Sequence, residues 1–230
     1  MRTRFPLVLA SALALLCGSL RAQNRAELRL HIAASPSVAH RKISAVVWLE
    51  PLGDTPALTF APQTHYTLLQ KNRTFIPHLQ VVPVGSVVQF PNADPFFHNV
   101  FSLFDGKRFD LGLYEAGSSK AVTFSRPGVS YIFCNIHPEM SAVVISLSSP
   151  LYAIADSTNT IDIHGIPPGD YRLHLWVEGA LPSGLQNLSR EVHLSPGNTD
   201  LGNINVQVAT SASHTNMFGK SYDSKSGSSY

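Results

Sequence analysis

Charged residues and cysteines are scarce in this chain of 230 residues. Asp, Glu, Lys and Arg together make up 14% of the sequence, and there are two cysteines. No cluster of Lys and Arg interleaved with aromatic residues occurs, so the sequence lacks the electrostatic footprint of a nucleic-acid-binding protein. It also lacks a sustained apolar repeat of three to four residues, which argues against long helices.

The N-terminus has the pattern of a secretory signal. Two arginines precede a short apolar segment, residues 6–16, and small residues follow it up to a cleavage position expected near Ala22. The apolar segment is too short to span a bilayer comfortably, so we expect residues 1–22 to be removed and the mature chain to have no membrane span. Removal of Cys17 leaves Cys134 as a lone thiol in a periplasmic or secreted protein, where unpaired cysteines are unusual.

Short apolar runs separated by turn residues predict an all-β protein. Nine such runs precede the turn Ser148-Ser149-Pro150, as expected of a two-sheet sandwich. They are Leu28–Ile32, Ala45–Leu49, Tyr66–Leu69, Thr74–Val82, Val87–Phe90, Val100–Phe104, Ala121–Phe124, Ser130–Phe133 and Ala142–Leu147. We therefore divide the chain into a signal peptide (1–22), a first sandwich (23–149), a smaller second sandwich (150–208) and a disordered tail (209–230) rich in Ser and Gly.

The segment Cys134-Asn135-Ile136-His137-Pro138-Glu139-Met140 places a thiol, an imidazole and a thioether three residues apart. These donors match a trigonal His₂Cys copper site with a long axial Met, which also needs a second imidazole. His98 supplies it from a loop that follows an apolar run. A buried Cys with a neighbouring Met could instead be packing material, but the equal spacing of Cys, His and Met argues against that interpretation.

Between residues 81 and 147 the chain resembles the cupredoxins, the small blue copper proteins, and most closely the plastocyanin and amicyanin branch. The resemblance is carried by Val87-Val88-Gln89-Phe90-Pro91-Asn92, by the pair His98-Asn99 and by Cys134–Met140. It implies a Greek-key β-sandwich that holds one type 1 copper ion. It also implies that the amide of Asn99 approaches the thiolate sulfur, and that Pro138, which has no amide hydrogen, adds no hydrogen bond to that sulfur.

The resemblance implies a shuttle of single electrons between redox partner proteins, which would dock transiently near His137. An apolar collar of Pro95, Phe96, Phe97 and Pro138 would surround that histidine, or would equally serve as packing over the copper. We expect no enzymatic activity, because no catalytic dyad can be named and the Cys lacks the flanking histidines of a multicopper oxidase.

A second resemblance covers residues 151–208. The turn Pro167-Pro168-Gly169-Asp170-Tyr171, followed by the alternating strand Arg172–Val177, is similar to that of the carboxypeptidase regulatory-like domain, a small transthyretin-like β-sandwich. We expect His174 to be a solvated residue on the polar face of this strand. Trp176 is expected to be a core or interface residue, although it could stack on a sugar ring.

Other functions remain open at this point. The chain could bind and deliver periplasmic copper, or it could be an adhesion or assembly module in which copper is structural or absent. The lone thiol of Cys134 could form an intermolecular disulfide or act as a nucleophile with His137 as its base.

Overall fold

A computed structural model describes residues 24–34, 43–103 and 106–208, so the predicted signal peptide and C-terminal tail lie outside the described residues. Apart from one short helix, the regular secondary structure of the described residues consists of β-strands, which confirms the predicted all-β class. Within these ranges no helix is long and apolar enough to cross a membrane. The elements in chain order are β1 Ala26–Ala34, β2 Ala45–Pro51, β3 Tyr66–Thr67, β4 Leu69–Lys71, β5 Thr74–Ile76, β6 Leu79–Pro83, β7 Val87–Pro91, β8 His98–Ser102, β9 Phe109–Tyr114, β10 Ser119–Thr123, β11 Gly128–Phe133, β12 Ser141–Leu147, β13 Tyr152–Ile154, β14 Thr160–Ile166, β15 Gly169–Val177, α1 Pro182–Leu188, β16 Arg190–Leu194 and β17 Gly197–Val206.

The described residues divide into two compact units. The central unit comprises residues 58–150, and the discontinuous unit comprises residues 24–57 and 151–208, each within the described ranges. The central unit therefore interrupts the other unit in the sequence, between β2 and β13.

The discontinuous unit contains a three-stranded sheet in the order β14-β1-β17 and a four-stranded sheet in the order β13-β2-β15-β16. Strands β1 and β2 are thus interior strands of their sheets. On β1 the side chains of Leu28, Leu30 and Ile32 alternate with more exposed residues and are each 1% exposed, as expected of a strand with one face on the core.

The placement of β1 and β2 corrects the predicted domain boundaries. The sequence placed residues 24–57 in the first sandwich, whereas their strands pair with β13, β14, β15 and β17. The physical reason is that alternation identifies a strand and its buried face but does not name its pairing partner. The unit that contains residues 151–208 therefore begins in the sequence before the central unit.

The Pro-Pro-Gly-x-Tyr segment forms the turn into β15, and Pro167 and Tyr171 are its buried residues. The hydroxyl of Tyr171 donates a 2.6 Å hydrogen bond to the carbonyl oxygen of Pro167. A Cβ atom at Gly169 would lie 2.5 Å from Oγ1 of Thr55, so only glycine fits this turn. Further along β15, Trp176 is a core residue with 3% exposure, and the imidazole of His174 is not freely solvated, because its Nε2 atom lies 3.0 Å from the carboxylate of Glu50.

The central unit contains a three-stranded sheet in the order β10-β7-β3, a five-stranded sheet in the order β6-β12-β11-β8-β9, and the two-stranded β4-β5 hairpin. Its apolar core draws side chains from strands of both larger sheets, such as Phe90 of β7 and Ile132 of β11, each 0% exposed. Cys134 and Met140 belong to the same buried cluster. The candidate ligand loop is therefore attached directly to the core.

Candidate metal centre

The β11-β12 ladder positions two of the four predicted ligands. Ile132 faces the core and Phe133 is more exposed, so the alternation directs the next side chain, Cys134, back into the core, where it is 0% exposed. The ladder continues past Phe133 and Ser141 through a 3.3 Å hydrogen bond from the amide of Cys134 to the carbonyl of Met140. The loop between these residues is thus closed at its base by the sheet.

The donor atoms of three predicted ligands lie together. Nδ1 of His98 lies 3.0 Å from Nδ1 of His137, and Sγ of Cys134 lies 3.8 Å from the former and 3.5 Å from the latter. His98 is the first residue of β8 and is fully buried, whereas His137 is partly exposed in the loop. Residues 98 and 134–137 are distant in sequence, and sheet pairing brings them to one end of the central unit.

This triangle fits a transition-metal ion. The centre of a triangle with sides of 3.0, 3.5 and 3.8 Å lies about 2 Å from each corner, close to the usual length of a bond from imidazole nitrogen or thiolate sulfur to such a metal. Two imidazoles and one thiolate are a soft donor set that suits copper and does not suit magnesium or calcium. The three side chains could hold a metal ion with little rearrangement.

Met140 is placed beside the triangle by the chain, and its side chain is fully buried in the cluster that contains Cys134. The backbone amide of Met140 donates a 3.1 Å hydrogen bond to the carbonyl of His137, which tightens the loop into a turn. Its role as an axial ligand remains a proposal.

Asp94 contacts a predicted ligand, and the sequence analysis missed it. Its carboxylate lies 2.9 Å from Nε2 of His98 and accepts hydrogen bonds of 2.6 and 2.9 Å from the backbone amides of Asn72 and Arg73. With Nε2 of His98 as the donor to Asp94, Nδ1 keeps its lone pair toward the triangle. The signal in the sequence was an acid four residues before a candidate ligand, in a turn where Oδ1 of Asn92 accepts the amide of Asp94.

Burial governs the protonation of the site. Burial raises the pKa of the Cys134 thiol, and hydrogen bonds from the backbone amides of Asn99, Ile136 and His137 oppose it without cancelling it. Burial also lowers the pKa of His98 and of His137. At pH 7 the metal-free site therefore holds a protonated thiol and two neutral imidazoles.

Copper binding is accordingly expected to release one proton and to strengthen with pH. Because a metal displaces the proton of Cys134, the apparent affinity should rise on the order of tenfold per pH unit below the thiol pKa. The imidazoles, already neutral, should add little to this slope near pH 7. Competition titrations between pH 6 and 8 would measure it. An affinity that does not change over this range would contradict the assignment of Cys134 as a buried ligand, and Cys134→Ala is the control that should remove the slope.

The same burial argues against the other roles considered for the thiol. A sulfur with 0% exposure is inaccessible to a second chain. A reactive nucleophile needs a lowered pKa and partial exposure, whereas the pKa of Cys134 is raised.

Asn99 approaches the site with its backbone, as the resemblance implies, since its amide hydrogen-bonds to the sulfur of Cys134. Its side chain points elsewhere, because Nδ2 donates a 2.7 Å hydrogen bond to the carboxylate of Asp110 on β9. Pro138 is exposed within the turn of the ligand loop.

The residues of the predicted apolar collar differ in their surroundings: some pack on the site and others are exposed. The ring of Phe96 meets both imidazoles edge-on, with centroid distances of 5.2 Å to His98 and 5.5 Å to His137. Phe97 is 56% exposed and Ile136, which the collar did not include, is 36% exposed. Phe96 therefore packs over the site, and Phe97 and Ile136 leave apolar surface open beside it.

No family model matches the sequence, and no curated protein matches it. Solved structures do match, and several of them are cupredoxins that cover about a third of the chain. A purple cupredoxin from Nitrosopumilus maritimus is 22% identical, covers 36% of this chain and 100% of its own length, and gives a TM-score of 0.33. A copper(I) form of an amicyanin variant is 17% identical over 36% of this chain and 81% of its own, with a TM-score of 0.33.

A copper-containing nitrite reductase from Thermus scotoductus is 23% identical over 51% of this chain, with a TM-score of 0.34, and the match spans 28% of that enzyme. At these identities and TM-scores the assignment of the site rests on its own residues and distances.

Proposed function

We propose that this protein is an exported type 1 copper protein that carries single electrons between partner proteins. The observation that carries the proposal is the triangle of two imidazole nitrogens and one cysteine sulfur formed by His98, His137 and Cys134. Copper bound there would supply a one-electron couple. The buried thioether of Met140 is available as the weak fourth ligand.

The protein's own residues keep this site rigid. The β11-β12 ladder fixes Cys134 and Met140, and the buried Asp94 orients the imidazole of His98. Phe96 packs against both imidazoles and limits the access of water. Ligands held in place before and after electron transfer make electron exchange fast, because little reorganisation accompanies it.

His137 is the proposed point of electron entry and exit. It is the partly exposed imidazole of the pair, and the exposed apolar side chains of Phe97 and Ile136 lie in the two loops that carry the ligands. A small apolar surface of this kind suits brief encounters with redox partners. The proposal assigns no catalytic reaction to the site.

Two other functions make different predictions. A copper-delivery protein would use the same donors and release the ion to an acceptor, and it would need no reversible electron exchange. An adhesion or assembly module would keep its partner binding after loss of Cys134. Rigid burial of the thiolate favours retention of the ion and therefore electron transfer.

A spectroscopic titration tests the proposal. Cupric ion added to the purified mature protein should give an intense visible thiolate-to-copper band, one bound ion and a reversible one-electron wave. Cys134→Ala should abolish the band completely, and His174→Ala in the discontinuous unit should leave it unchanged. A colourless wild-type protein would refute the proposal, and a coloured protein without reversible electron exchange would favour copper delivery.

A further inference from the structure

The β4-β5 hairpin carries two cations at its tip, and the backbone of the tip binds the carboxylate that contacts His98. Lys71 ends β4 and Arg73 occupies the turn, and both are exposed. We propose that this hairpin tip is a docking element that selects a one-electron carrier protein whose redox group is bordered by carboxylates. The inference rests on the proposed function and names the chemistry of the partner.

The tip is held by the same carboxylate that orients a predicted ligand. Asn72 and Arg73 have φ values of 55° and 54°, as a tight two-residue hairpin turn requires. Their amides donate to Asp94, and Oγ1 of Thr74 donates a 2.7 Å hydrogen bond to the carbonyl of Lys71. The backbone of the tip therefore has a fixed position relative to His98.

Arg73 is also fixed by its side chain. Its guanidinium lies over the ring of Phe96, 5.3 Å from the centroid, and the edge of that ring meets the imidazoles of His98 and His137. Arg stacked on an aromatic face keeps its N–H groups available for carboxylates. Among the described residues no salt bridge occupies Arg73 or Lys71.

The charge of the surface around the hairpin tip determines which charge a complementary partner must carry. The exposed acid of the ligand loop is Glu139. Asp94 is buried and its carboxylate is already bonded to the tip and to His98. The exposed charges of the tip and the ligand loop are therefore two cations and one acid, next to the exposed apolar side chains of Phe97 and Ile136. A complementary partner presents carboxylates around an apolar centre. Each encounter would move one electron between partner and metal centre, with no bond made or broken.

Metal-free protein and a redox-inert anion test the docking element without copper. In NMR spectra of the full mature chain, hexacyanochromate(III) should broaden the amide signals of residues 71–74 and 96–97, whereas hexaamminechromium(III) should not. The double variant Lys71→Gln/Arg73→Gln should lose most of this broadening. Arg108→Gln is the matched control, because Arg108 is exposed and lies next to Phe109, at the opposite end of the β8-β9 pair from His98.

Kinetics of the copper-loaded protein provide the second measurement. At low ionic strength the double variant should react about three-fold to ten-fold more slowly with anionic hexacyanoferrate, and no more slowly with a hexaammineruthenium cation. Its visible band should match that of the wild type. An intact band with unchanged anion rates and unchanged broadening would overturn the docking element while leaving the proposed function in place.

Copper binding and docking can therefore fail separately. A wild-type protein that stays colourless but shows the Lys71- and Arg73-dependent broadening would support the binding of anions at the cationic hairpin tip and refute the electron-transfer role of the site. Binding to phosphatidylglycerol vesicles that is lost in the double variant would assign the tip to a membrane surface and overturn the choice of a protein partner.

Discussion

Replacing Asp94 with Ala should lower the unfolding free energy of the metal-free protein by about 3 kcal/mol and weaken copper binding about 10-fold to 100-fold. The Asp94 carboxylate is 5% exposed and accepts hydrogen bonds from two backbone amides and from the imidazole of His98. Burial raises its pKa, but the donors at Arg73, His98 and Asn72 outweigh burial, so the net pKa is lowered. Removal of the carboxylate leaves the buried imidazole of His98 and the part-buried amides of Asn72 and Arg73 without their acceptor, and the imidazole is then no longer held in its orientation.

Two further variants serve as comparisons for Asp94→Ala. Asp94→Asn keeps one acceptor oxygen without the charge and should retain part of both effects. Asp110→Ala removes an exposed carboxylate that accepts from the side chain of Asn99 and the amide of Gly112, and it should cost less than Asp94→Ala. Urea unfolding of the metal-free proteins and chelator competition for copper would measure the two quantities. Equal results for Asp94→Ala and Asp110→Ala would refute the role given to Asp94.

Residues 150–208 on their own should fail to fold, whereas a chain in which a short Gly-Ser linker replaces residues 58–150 should fold. Strands β1 and β2 are interior strands of the two sheets that residues 151–208 would have to complete. Apart from two alanines, six apolar side chains of these strands are at most 1% exposed: Leu28, Leu30, Ile32, Val46, Val47 and Leu49. Their burial contributes about 10 kcal/mol or more at roughly 1.5–3 kcal/mol each, which is comparable to the whole net stability of a domain, about 5–15 kcal/mol.

The pairing of β2 with β13 makes the linker feasible. These strands are antiparallel neighbours with Trp48 opposite Tyr152, so a short loop can join them in place of the central unit. Thermal unfolding followed by circular dichroism would compare the two chains, and residues 58–150 expressed alone should give the same visible band with copper. A cooperative transition in the isolated 150–208 fragment would contradict this division of the chain.

Much of the candidate site follows from short sequence patterns. Donors three residues apart in Cys134, His137 and Met140, at the end of an alternating strand, predict a ligand loop whose Cys faces the core. Successive side chains of a strand point to opposite faces, so the position of a residue along the strand determines the direction of its side chain. This property is local and can be read from the sequence. Most of the nine predicted strands are found for the same reason, although the run 74–82 is broken into β5 and β6.

The contacts that these segments make with one another in the folded chain could not be predicted from the sequence. Asp94 lies between Asn92 and Pro95, which the sequence analysis named, yet its contacts with His98 and with the tip of the β4-β5 hairpin depend on separate segments meeting in space. The edge-on contact of Phe96 with both imidazoles and its position under Arg73 likewise join separate loops. No periodicity within one segment encodes such contacts.

The sequence by itself determined the all-β class, the donor types, and the inward direction of Cys134, because each depends on residue chemistry and on the two-residue period of a strand. Only the tertiary structure decided that residues 24–57 complete the sandwich of residues 151–208, that Asp94 couples His98 to the hairpin tip, and that Arg73 lies beside the site. The reason is that strand pairing and side-chain contact over long separations are set by the free energy of the whole packed unit, to which many segments contribute together.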